Sequence, residues 1–127
     1  KRSIYPETEE QIHTAEEICR ILDKNVPDDY KLVQRSIAND GSLCIMYTGD
    51  NSRILSLTVF ASQQTIQFDT ENVEYIPLLI DDYQAYFVEK NGFSIMWFDD
   101  KNQVVYELYA TSLSEDCFWK IVHALIK

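Results

Sequence analysis

Glycine, proline and histidine are scarce in this chain. Three glycines, three prolines and two histidines stand among 127 residues. The glycines, Gly41, Gly49 and Gly92, all sit in turn-like contexts. No glycine-rich loop is present to cradle a phosphate, so a nucleotide site has no support. Basic residues are also few, 11 against 21 acidic, for a formal charge of −10. That excludes a broad phosphate-binding surface, and no nucleic-acid partner is expected. Long apolar runs are missing too. The longest, Ile76-Pro77-Leu78-Leu79-Ile80, is far short of the roughly 20 residues a membrane-spanning helix needs.

Three cysteines, Cys19, Cys44 and Cys117, are an odd number and lie far apart. This is neither a disulfide framework nor a metal-ligand cluster. Free buried thiols are the expectation. In an oxidising space one pair could be bridged, and the sequence does not choose which. His13 and His123 fall at opposite ends of the chain. Cys117 and His123 are six apart on one predicted helix and face different ways, so no nucleophilic triad is built. Asp99, Asp100 and Asn102 lack the central glycine and closing glutamate of a helical-hand calcium loop. They read as a hairpin turn, as do Asp81 and Asp82. No metal and no cofactor are expected.

What is present is the material of one folded domain. Apolar residues make up 46% and charged residues 25%, in a chain long enough for one core and short for two. Ile12, Ala15, Ile18, Cys19 and Leu22 recur at helical spacing, which predicts a helix over 7–24. Pro27 ends it. Alternation then predicts strands over 42–47, 54–61, 63–68, 83–90, 93–98 and 103–110, while 30–37 is mixed in character, an edge-strand candidate, and 75–80, apolar around Pro77, reads as an edge or irregular strand. Residues 69–74 read as a polar loop. Asn91-Gly92 favours a two-residue hairpin with positive φ at both positions. Phe118, Ile121, Val122 and Leu125 form the stripe of a closing helix over 113–125, and Ser112 to Glu115 has capping-box spacing. The expected architecture is α+β: a single antiparallel sheet of five to seven strands covered by an N-terminal and a C-terminal helix, in two layers.

Aromatic residues crowd the three strands from Tyr83 to Ala110. Period two divides them between both sheet faces. One face packs on the helices, and the other carries Tyr86, Phe98 and Tyr109. With Trp119, which falls beside the apolar stripe of its helix, these are the candidate binding surface, for another protein or a small ligand.

Several segments have a recognisable pattern: Tyr83-Gln84-Ala85, then Phe93-Ser94-Ile95-Met96-Trp97, Val105-Tyr106-Glu107-Leu108-Tyr109 and Leu113-Ser114-Glu115-Asp116. Val26-Pro27-Asp28-Asp29-Tyr30-Lys31-Leu32 precedes them. Together they resemble the bacterial domain-of-unknown-function family 4367, common in Gram-positive spore formers and gut anaerobes. The resemblance implies an extracytoplasmic module on the outer face of the cell membrane, held by one N-terminal span. It offers no catalytic residues. A chain opening at Lys1 with no signal-peptide pattern fits a soluble fragment of such a protein. Two function classes follow: a noncatalytic sensory or protein-interaction domain, and an envelope-associated hydrolase with an acidic or Cys-His site. The oligomeric state is left open.

Overall fold

Period-two alternation builds a seven-stranded sheet, and three-four periodicity at both ends builds its cover. The computed structural model describes residues 9–39, 41–60, 75–99 and 104–126. Helix α1 is Glu9–Asn25. Strands β1 Lys31–Ile37, β2 Leu43–Thr48 and β3 Ile54–Phe60 follow, then β4 Ile76–Ile80, β5 Tyr83–Glu89, β6 Phe93–Asp99 and β7 Val104–Ala110. Helix α2 is Glu115–Ile126. The expected strand over 63–68 and loop over 69–74 lie outside the described residues.

The sheet order is β1-β2-β3-β7-β6-β5-β4, and every pair is antiparallel. Two meanders meet where β3 pairs with β7, so the last strand lies at the centre. The sheet is therefore antiparallel throughout, of seven strands, with one helix at each end of the chain.

One face of every central strand is buried. Leu43, Ile45 and Tyr47 of β2, Leu55, Leu57 and Val59 of β3, Ala85 and Phe87 of β5, Ile95 and Trp97 of β6, and Leu108 and Ala110 of β7 join one core. Ile18, Cys19 and Leu22 of α1 and Phe118, Ile121, Val122 and Leu125 of α2 close over that same face. The helices also pack against each other. Trp97 and Tyr106, opposite one another on β6 and β7, stack with centroids 4.9 Å apart and planes 5° from parallel.

The edges are protected differently. In β1 the register shifts between Leu32 and Gln34, a bulge at Val33. In β4, Pro77 removes one backbone donor.

The Asp81-Asp82 turn is as expected, and two other turn positions, Asn91-Gly92 and Asp99, differ from expectation. Ile80 pairs with Tyr83, so Asp81-Asp82 is the two-residue connection, with Asp81 at φ 54°. Asn91 and Gly92 do have positive φ, 57° and 124°. Yet Glu89 pairs with Phe93, so their connection has three residues, and the Lys90 N–H donates to the Gly92 carbonyl. The cause is local crowding, since Gly92 lies against the backbone of Ala110 and Thr111. Asp99 also departs from its expected turn. It extends β6 opposite Val104 and is buried.

Candidate functional site

Both helices cover one face, and no helix among the described residues covers the other. The register defines it strand by strand. Tyr86, Met96, Glu107, Thr58 and Cys44 form one row across β5, β6, β7, β3 and β2. Val88, Ser94, Tyr109, Ser56 and Met46 form the next. Phe98 and Val105 pair on the far side of the first row.

Three of the four candidate residues lie on this face, and two of them touch. Tyr86 and Phe98 touch edge to face, centroids 6.0 Å apart at 61°. The Gln84 amide donates to the Tyr86 hydroxyl at 2.9 Å. The Tyr109 hydroxyl donates to the Asn91 carbonyl at 3.4 Å, which ties the ring to the β5–β6 turn. Trp119 does not join them. It lies on the helix side, 5.1 Å from the Phe87 ring and 5.6 Å from Phe118, and its indole N–H donates to Glu115. The reason is strand parity: Phe87 points to the core and Tyr86 to the bare face.

Sequence reasoning missed two residues of this face. Met96 is 8% exposed, yet it stands outside the core cluster that unites the two helices with the sheet. Directly opposite it on β7 is Glu107. Burial alone pushes the Glu107 carboxyl above its usual range, with no charged or hydrogen-bonding neighbour contributing among the described residues. Alternation along β7 was the available signal. It sets Glu107 between Val105 and Tyr109 on one face.

Other polar groups serve the scaffold. The Tyr47 hydroxyl donates to the Asp23 carboxylate, joining β2 to α1. Burial, and then that bond, push the Tyr47 phenol well above its ordinary value. Arg53 pairs with Asp29 at 2.7 Å and lies over the Tyr30 ring, 4.9 Å from its centroid. This pair holds the Asp29 carboxyl below its usual value.

Among the described residues no activated nucleophile is assembled. Burial raises the thiols of Cys19 and Cys117, opposite to the shift that makes a nucleophile. The charged groups acting on Cys19 are Arg35, Asp23 and Glu16, and on Cys117 Lys120. No group of three metal-ligating side chains gathers among the described residues. The three cysteines are free thiols.

No curated protein and no solved structure matches the chain. A family model does match, over residues 21–125, which takes in the last turn of α1, all seven strands and nearly all of α2. The chain therefore belongs to the DUF4367 family, a domain of unknown function.

Proposed function

We propose that this domain is a noncatalytic sensory or protein-interaction module, and that the helix-free sheet face is its contact surface. One observation carries the reading. Tyr86, Phe98, Tyr109, Met46 and Met96 share that face, and no described helix covers it. Aromatic side chains give large contact area at small entropic cost, methionine adapts its flexible thioether to irregular surfaces, and both are enriched at protein interfaces. Leu79, also on this face at the β4 margin, is 75% exposed and extends the apolar area.

The proposed location is the extracytoplasmic side of a Gram-positive cell membrane, which the family resemblance supports. No helix among the described residues is long and apolar enough to cross a membrane. On this reading the anchor is a separate segment.

The test is site-specific photocrosslinking in cells producing the full-length protein. A photoreactive residue at Tyr86 or Tyr109 is expected to give a discrete adduct, and one at Glu17, exposed on α1, none. Equal yields at all three positions would defeat the reading. Protease added to intact cells should degrade the domain if it is extracytoplasmic, and protection would refute the location.

A further inference from the structure

The nearest described strand neighbours of Glu107 on its face are aromatic, aliphatic, thioether and hydroxyl side chains. Its lateral neighbours are Met96 on β6 and Thr58 on β3. Along its own strand Val105 and Tyr109 flank it on the same face. Among the described strand residues of this face, the other charged side chain is Lys31. It sits on edge strand β1, three strands from β7, and pairs with Thr48 at the opposite end of the face from Thr58 and Glu107. Adjacent strands are about 4.8 Å apart, so among the described strand residues no charge on this face compensates Glu107 at close range.

A carboxylate in such a place is costly for the isolated domain. Burying an ionised group without a partner is unfavourable, and removing more water makes it worse. A neutral apolar partner laid across this face would strip the remaining water and gain little. A partner that brings a cation gains a charge-assisted bond in a site already partly desolvated, where such bonds are strong. The surrounding rings favour the same occupant, because aromatic faces attract guanidinium and ammonium groups.

We propose that Glu107 anchors a basic side chain, arginine or lysine, of a protein partner whose apolar neighbours pack on Tyr86, Phe98 and Tyr109. This rests on the contact-face reading above and adds to it the chemistry of the partner. The specificity is for charge: a segment with a cation set among apolar residues binds, and its neutral counterpart does not.

The two methionines of the chain, Met46 and Met96, both lie on this face. Methyl labelling of methionine therefore gives two NMR signals, one directly across from Glu107 and one two strands away. The probe is n-butylguanidinium, with neutral n-butylurea as control. The expected result is a saturable shift of the Met96 methyl, a smaller one at Met46, and neither with n-butylurea. Glu107→Gln, which keeps the shape, should weaken guanidinium binding by about tenfold or more. The same two signals report whether the variant is folded. Equal shifts from n-butylurea, no saturable shift at Met96, or unchanged binding to E107Q would each overturn the proposal. Crosslinking from Tyr109 separates the two levels. An adduct whose yield is unchanged by E107Q removes the cation anchor and leaves the contact face standing. Loss of any specific adduct from the parent protein removes the face itself.

Discussion

The Tyr47 hydroxyl donates its hydrogen bond to the carboxylate of Asp23, linking β2 to α1 beneath the N-terminal helix. Tyr47 is 4% exposed but Asp23 lies exposed on α1, so the contact is dry on one side only and solvent screens the charge of its acceptor. Tyr47→Phe should destabilise the domain by about 0.5–1.5 kcal/mol, measured by urea unfolding at neutral pH. The alkaline limb gives a second reading. The folded phenol titrates above its unfolded value, because of burial and then the Asp23 bond. Its contribution is thus complete below the ordinary tyrosine value of about 10 and is lost as pH rises through the folded value. The parent should lose more stability than Y47F across that range. Equal slopes would remove the linkage.

How far this arrangement could be read beforehand depends on the kind of residue. Strand positions with a clean apolar-polar alternation, such as Leu55, Leu57 and Val59, announced their face, since a one-residue slip would turn all of them to water. The stripe Phe118, Ile121, Val122 and Leu125 was equally plain, and all four are buried. The β3–β7 pairing was not legible. It joins residues about fifty positions apart, and nothing local specifies it. The site was half legible for the same reason. Parity put Tyr86, Phe98 and Tyr109 together, but Glu107 and Met96 become neighbours only through the β6–β7 register. Turn chemistry misled at Asn91-Gly92, where contact with β7 overrode the local preference for a two-residue loop.

Glu107 should make the domain more stable in acid than its other carboxylates would. Burial raises its pKa above the unfolded value, so the folded state holds the proton more tightly. The stabilisation is complete below the unfolded carboxylate value of about 4.3 and declines as pH rises through the folded value. Glu107→Gln removes the dependence. The variant should melt higher than the parent at pH 7, with the difference shrinking toward pH 4. A parent that is the more stable of the two at pH 7 would show that Glu107 is satisfied in the folded domain.

Gly92 should tolerate no side chain. Its φ is 124°, and a Cβ built there would lie 2.3 Å from the Ala110 carbonyl oxygen and 3.0 Å from the Thr111 Cα. Both are backbone atoms, which cannot swing aside as a flexible side chain would. Gly92→Ala should cost about 1–3 kcal/mol in conformational strain, with the clash in addition, and Gly92→Val more. A melting point within a degree of the parent for G92A would mean that the β5–β6 connection shifts freely against β7.

Helix α2 should be indispensable to folding. Phe118 is fully buried and contacts Phe93 at 5.3 Å and Trp119 at 5.6 Å between centroids. It also lies 6.1 Å from Phe87, so its ring connects the helix to β5 and β6 together. Truncating a buried phenylalanine removes its transfer free energy and leaves a cavity, for a cost of about 3–5 kcal/mol. A domain of this size has a total stability of roughly 5–15 kcal/mol. Phe118→Ala should therefore move the denaturant midpoint far down without changing the slope. Deleting residues 112–127 goes further, because it removes Phe118, Ile121, Val122 and Leu125 from the core at once, uncovers Phe87, and leaves α1 alone over a seven-stranded sheet. The deletion variant should show no cooperative unfolding transition and no dispersed NMR spectrum. A cooperative transition near the parent midpoint would mean that α1 and the sheet are stable alone. The apolar stripe of α2 would then be available to a partner, and the contact surface would have to be moved from the bare face to the helix side.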